Sequence, residues 1–223
     1  MTGGFFITGT DTGVGKTWAT VALMRHLQHQ GSSVLGMKPV AAGCTLNDGQ
    51  WQSADARLLQ ENGSLAVDYR CINPYALKAA VSPHIAAAQA DCTVKMEEIL
   101  RNYYHLRSLA DIVLVEGAGG WLAPLNEHQD IADLAAALEL PVILVVAIRL
   151  GCINHARLSH QAILASGQFC AGWIAVCSEQ NMLAREQNIK TIRHALDAPM
   201  LGILPYTHHP DFNFLSKHLQ ITL

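Results

Sequence analysis

Charge is scarce in this chain. Only 15% of its 223 residues are Asp, Glu, Lys or Arg, half are hydrophobic, and the formal net charge is −3. There is no basic run and no acidic tail, which argues against nucleic acid and against an anionic membrane surface as partners. Long hydrophobic runs are also missing. The longest, LPVILVVAI over residues 140–148, is too short to cross a bilayer and ends at Arg149. The opening MTGGFFITGT lacks the basic segment of a secretory signal. The six cysteines (44, 71, 92, 152, 170 and 177) form no CxxC pair and no Cys/His zinc spacing, so reduced thiols in a cytoplasmic core are expected. Eleven histidines make no HExxH. With no linker, repeat or low-complexity stretch either, residues 1–223 read as one domain.

What the chain does have is an alternation of short apolar runs with helical stretches. Strands are expected at 4–9, 33–43 (with Pro39 ending regular structure), 111–120, 140–151, 170–178 and 198–206. Helices are expected at 15–31, 53–62, 82–90, 93–109, 128–139, 153–167 and 181–197, with 63–80 irregular. Near-continuous apolar strands joined by helical crossovers predict an α/β fold: a mostly parallel sheet with helices on both faces. Ligands of such sheets bind beyond the carboxyl ends of the strands. The segments 9–17, 38–43, 116–121, 149–155 and 176–178 all follow strands, so separate loops are expected to meet in one crevice.

The first of these reads GTDTGVGKTWAT. A strict P-loop has four residues between its first glycine and Gly-Lys-Ser/Thr; here five separate Gly9 from Gly15-Lys16-Thr17, so the match is a variant. It lies between an expected strand and an expected helix, the context a phosphate cradle requires. Backbone N–H groups from Gly13 and Val14 through Thr17 would face phosphates at a helix N-terminus. Lys16 would meet the outer phosphates and the Thr17 hydroxyl would help hold magnesium. Two carboxylates are candidates to complete the metal site. Asp55 starts a short helix, and taken alone reads more naturally as a helix-start residue. Glu116 ends the apolar run DIVLV at the ligand edge, where an unpaired carboxylate would be costly to bury. Lys38 closes the strand SVLGMK. It is equally readable as an exposed strand end or as a second cation stabilising a transferring phosphoryl group.

With these residues in view, the chain resembles the dethiobiotin synthetase family over nearly its whole length. The resemblance rests on FFITGTDTGVGKT, MKPVAAG, SADARLLQ, INPY, SPHIAA, VLVEGAGGW, LPVILVV, LGCINHA, AGWIA and LGILPY, in that order. It implies an ATP- and magnesium-dependent closure of a ureido ring from 7,8-diaminopelargonic acid and CO2, through a carbamate and a carbamic-phosphoric anhydride. It also implies that Gly13 to Trp18, Asp55, Glu116 and Gly117 to Gly119, Ala118 included, hold the nucleotide, with Val176, Cys177, Pro205, Tyr206 and Thr207 on its base side. Thr17, Asp55 and Glu116 would bind the metal. Thr12, Lys38, Ala42 and Gly119 would face the diamine, with Lys38 and Lys16 catalytic. Leu150, Gly151, Cys152 and Asn154 would bind the carboxylate of the substrate in the neighbouring subunit of a homodimer. Read from the residues alone, that segment is a helix start whose free N–H groups at 152–154 could bind a carboxylate, or one plainly capped by Asn154.

Two departures stand out. Family members commonly read KPVASG, whereas Ala42 replaces that serine here, which predicts weaker substrate binding without loss of activity. Some members also carry an adenine-reading Asn after GWVA; here Val176 and Cys177 follow GWIA, and neither side chain can make an amide pairing. Other nucleoside triphosphates besides ATP are therefore expected as substrates. The main rival, a partitioning or septum-placement switch ATPase, would carry a lysine early in the loop, where this chain has Asp11.

Overall fold

The computed structural model describes residues 3–221. Its centre is a six-stranded sheet made of β1 (Gly4–Gly9), β2 (Val34–Met37), β7 (Ile112–Glu116), β8 (Val142–Ala147), β9 (Cys170–Val176) and β10 (Met200–Leu204). All neighbours are parallel, in the order β10-β9-β8-β1-β7-β2. These are the six strands expected from the sequence, and the α/β class with helices on both faces holds.

Alternation along the strands explains how one sheet feeds two cores. In β8, Val142, Leu144 and Val146 enter one core while Ile143, Val145 and Ala147 enter the other. Strand β7 divides in the same way, Val113 and Val115 against Ile112 and Leu114. The second core is closed by α1 (Lys16–His29), by Leu59 of α2 (Ala54–Glu61) and by Leu215 of α9 (Phe212–Ser216). The first is closed by α4 (Pro83–Gln89), α5 (Met96–Leu109), α6 (Ile131–Leu138), α7 (Cys152–Ala165) and α8 (Arg185–Ala195). This alternation has a functional consequence. Glu116 continues the Ile112–Leu114 side of β7, the side on which α1 packs.

Two local expectations are corrected, and one element is additional. The run 33–43 is not one strand: β2 ends at Met37, and β3 (Val40–Ala42) leaves the sheet to pair in parallel with β6 (Tyr75–Leu77). Pro39, which has no N–H to donate, marks the break. The stretch 63–80, expected to be irregular, holds β6 and one helical turn, α3 (Tyr69–Ile72). A hairpin of β4 (Thr45–Asn47) and β5 (Gln50–Gln52) was not anticipated. Its Asp48-Gly49 turn has positive φ at both residues (50° and 78°), the hairpin signal that Asp-Gly carries.

The six cysteines are free; Cys44, Cys152, Cys170 and Cys177 are buried and Cys71 and Cys92 partly so. Among the described residues no helix is long and apolar enough to cross a membrane.

Candidate active site

The loop after β1 turns over Gly13 and Gly15, both with positive φ (72° and 89°), and Gly15 is the N-cap of α1. The first N–H groups of a helix have no partner within it, and the dipole there favours an anion. Lys16 opens that helix, and its buried side chain donates to the carbonyls of Asp11 (2.8 Å) and Gly119 (2.7 Å). Burial, with the charge of Lys38 second, lowers its pKa to about 8.

A compact ionic cluster lies beside it. The Lys38 ammonium, 5% exposed, donates to Glu116 Oε1 at 2.6 Å and to Asp55 Oδ2 at 3.0 Å. Thr17 Oγ1 donates to the same Glu116 oxygen at 2.9 Å. Burial alone would lower the pKa of Lys38, but the Glu116 and Asp55 carboxylates outweigh it and raise the value. Burial would raise the pKa of Asp55, but the nearby ammonium holds it below the ordinary carboxylate range. The cluster draws on three elements of the fold: Glu116 from the end of β7, Thr17 from the first turn of α1, and Asp55 from the first turn of α2. Of the two readings of Lys38, the exposed strand end is excluded.

Glu116 is fully buried, and its second oxygen, Oε2, has no hydrogen-bond partner among the described residues. A buried carboxylate oxygen of this kind calls for a cation. With Thr17 Oγ1 and the half-exposed Asp55 carboxylate, the donor set is all oxygen, which suits magnesium carried in with phosphates. No group of three or more His, Cys, Asp or Glu among the described residues forms an all-protein metal cage.

A cleft of about 880 Å³ opens over this cluster. The expected residues Thr12, Gly13 to Trp18, Lys38, Ala42, Asp55, Glu116, Ala118, Gly119, Val176, Cys177, Tyr206 and Thr207 line it. Gly117 lies just behind, its carbonyl 3.4 Å from Lys38 Nζ. Pro205 lies at the end of β10, before the lining residues Tyr206 and Thr207. Ala41, Gly120 and Ser178, from the segments expected to meet here, line it too, and the cleft also has a wall missed from sequence, formed by Ala80, Val81, Ser82 and Pro83 at the start of α4, with Ala123. The Ser-Pro helix start was legible, but its distance in space from the loop was not.

Leu150, Gly151, Cys152 and Asn154 do not line the cleft of their own chain. Leu150 is 94% exposed, whereas the Cys152 side chain is buried. The expected details at this helix start are corrected. Gly151, with φ of 91° and no side-chain cap, is the N-cap of α7, not Asn154, which is its third residue. The N–H of Cys152 donates to the Arg149 carbonyl, so it is not free for a carboxylate.

A buried lysine in a glycine loop, at the central strand of a parallel sheet, with a cluster of oxygen donors at the adjacent strand end, defines a P-loop nucleotide-binding protein. Solved structures agree on the fold. MinD from Aquifex aeolicus aligns with a TM-score of 0.56 at 16% identity, covering 96% of this chain and 86% of that one. FtsY from Elizabethkingia anophelis in complex with GDP aligns with 0.59 at 14% identity, covering 100% of this chain and 61% of that one. The AAA domain family matches residues 3–211. In sequence, the chain is 49% identical to the ATP-dependent dethiobiotin synthetase BioD of Xylella fastidiosa, covering 91% of this chain and 89% of the relative. It is 47% identical to the BioD of Nitrosospira multiformis (98% and 95% covered) and 45% to that of Xanthomonas axonopodis pv. citri (97% of each). The chain belongs to the ATP-dependent dethiobiotin synthetase family.

Proposed function

We propose that this chain closes the ureido ring of dethiobiotin, using ATP, magnesium, CO2 and 7,8-diaminopelargonic acid. Family membership makes it an ATP-dependent carbon–nitrogen ligase of biotin biosynthesis. The substrates, the steps and the residue roles are the proposal. The observation that carries it is the convergence of two buried ammonium groups, Lys16 and Lys38, with Glu116, Asp55 and Thr17 at the floor of one cleft.

One amine of the diamine takes up CO2 as a carbamate, whose oxygen displaces ADP from the γ-phosphate. The second amine then attacks the carbonyl of the mixed anhydride, the ring closes and phosphate leaves. A carbamate is a weak nucleophile, so positioning and positive charge carry the rate. Lys38, held between Glu116 and Asp55, would orient the carbamate and neutralise charge on the transferring phosphoryl group. Lys16 would leave the carbonyls of Asp11 and Gly119 for the outer phosphates. Bound magnesium would neutralise phosphate charge; Thr17, Asp55 and Glu116 would hold it. Ala42 on the cleft wall offers methyl where a hydroxyl would donate. Losing one neutral hydrogen bond costs about 0.5–1.5 kcal/mol, so binding weakens and turnover persists.

Residues 150–154 lie outside the lining of their own cleft, and the exposed Leu150 and the start of α7 suit a role in the cleft of a second copy. A cytoplasmic homodimer of single-domain chains, spanning residues 1–223 each, completes the reading. Purified protein with magnesium-ATP, bicarbonate and the diamine should release phosphate only when the diamine is present, in step with dethiobiotin detected by mass. Hydrolysis indifferent to the diamine would overturn the reading.

Base selectivity should be loose. Val176 and Cys177, which would meet the base, line the cleft, and the Cys177 N–H is already used by the Leu204 carbonyl. Neither side chain can pair with an adenine edge, so CTP or GTP should support turnover within about tenfold of ATP. Steady-state rates with each nucleotide check this, and a stronger preference for ATP rejects it.

Nucleotide binding should also depend on pH. A phosphate favours the charged form of Lys16, so binding raises a pKa that starts at about 8. Above that pH the free protein must take up a proton to bind, and affinity should fall about tenfold between pH 7 and pH 9. Calorimetry in two buffers of different ionisation enthalpy, near pH 8.5, reads the uptake directly. Identical heats in both would exclude it.

A further inference from the structure

Lys38 is gripped at both ends, and the two grips are joined by hydrogen bonds that meet at the start of α2. Its side chain ends on Asp55 Oδ2 at 3.0 Å. Asp55 sits in the first turn of α2, whose N-cap is Ser53. The Ser53 N–H donates to the hydroxyl of Tyr69 at 2.7 Å, and that hydroxyl donates to Asn73 Oδ1 at 2.8 Å. Asn73 Nδ2 then donates to the backbone carbonyl of Lys38 at 2.6 Å, and to that of Tyr75 at 3.3 Å. The Lys38 N–H donates to the carbonyl of Ile72, the residue before Asn73. The ring thus begins and ends on Lys38.

Every link but the half-exposed Asp55 is buried: Ser53 is 7% exposed, Tyr69 6%, Asn73 2% and Lys38 5%. The groups leave no freedom of assignment. Asn73 faces two carbonyls on one side and a hydroxyl on the other, so its amide has one orientation that satisfies all three. Tyr69 accepts from an N–H and therefore directs its own proton to Asn73. A buried network with every donor and acceptor matched has one arrangement, and it transmits any change at one link to the next. Neither residue lies at the reacting atoms, and Lys38 leaves the sheet just where β2 ends, without a ladder partner of its own. Something must fix it there.

We propose that Tyr69 and Asn73 are positioning residues that set the distance between Lys38 and Asp55 in the reactive site. The inference rests on the roles given above to those two groups. Tyr69→Phe removes a single hydroxyl, leaves the Ser53 N–H and Asn73 Oδ1 unmatched, and frees the start of α2. Displacing a positioned group costs rate more than binding. The expected result is a fall in kcat of about tenfold with nucleotide KM changed less than about twofold.

The decisive readouts are magnesium dependence and coupling to Asp55. In the full-length protein, Tyr69→Phe should raise the magnesium concentration needed for half-maximal rate, while calorimetric affinity for nucleotide without magnesium stays unchanged. In an Asp55→Asn background, Tyr69→Phe should add no further loss in either quantity, because both substitutions disturb the same contact. Asn73→Ala cuts the chain one link on and should reproduce the pattern. Losses that multiply in the Asp55→Asn background, or a lowered melting temperature with kcat and magnesium dependence intact, overturn the inference. Lys38→Met, assayed in parallel, separates the two levels. If it stays active, the reading of Lys38 itself fails; if it is inactive while Tyr69→Phe is normal, only the positioning role is rejected.

Discussion

Lys38→Met should lower kcat by a factor on the order of 10²–10³, the loss usual when a preorganised charge is removed from a reaction that develops negative charge. The substitution keeps the length of the side chain and removes its ammonium, so the cleft keeps its shape. It also strands Glu116, which is fully buried and has Lys38 at 2.6 Å as its closest cation. Breaking a buried pair from one side costs about 3–5 kcal/mol. Activity and stability should therefore fall together in the single variant. Lys38→Met with Glu116→Gln removes both charges, leaves Thr17 a neutral acceptor, and should recover most of the stability with none of the activity. Denaturant unfolding and steady-state kinetics on the two variants separate the effects. A single variant that keeps more than about a tenth of the wild-type kcat would show that Lys38 is structural. Recovery of activity in the double variant would show that the defect was instability alone.

Gly15→Ala should weaken nucleotide binding by at least about tenfold, through two separable causes. Gly15 has φ of 89°, which costs a residue with a Cβ roughly 1–2 kcal/mol. The added carbon would also sit 2.8 Å from Val176 Cγ1, closer than real carbons approach, so either the loop or the end of β9 must shift. Both flank the place where phosphates and base would lie. Gly15→Ala with Val176→Ala removes the clash and keeps the φ strain, and should regain only part of the affinity. Binding measured by calorimetry with magnesium-ATP checks the pair. Unaltered affinity in the single variant would mean that the loop tolerates the strain and that the Gly15 conformation is not what shapes the cradle.

The expectations from sequence succeed where a short stretch carries its own physics. The apolar period of β1, β7 and β8 announces a buried parallel strand, and Gly15-Lys16-Thr17 after such a strand announces a phosphate site. They fail where the neighbour in sequence is not the neighbour in space. Pro39 in MKPVAAG marks where regular structure ends, but nothing there tells that Val40 pairs with Tyr75, because that pairing is decided by a segment 35 residues on. The helix start at Ser82-Pro83 was readable, but not its place on the wall of the cleft. Asp48-Gly49 is the exception: the turn signal stood in the sequence and went unused.

Sequence alone determined the class of fold, the phosphate loop, the order of the strands along the chain and the membership that the relatives bear out. Each of these depends on local chemistry or on period. Only the tertiary structure decided the states of the charged groups. Whether Lys38 is exposed or buried, whether Glu116 is paired, and whether Asp55 only starts a helix or also faces an ammonium all turn on distances from Lys38 to residues 17 and 78 positions further along the chain. The energy of a charge depends on what lies within a few ångströms and on how much water remains there. That surrounding is a property of the packed sheet, and no single segment contains it.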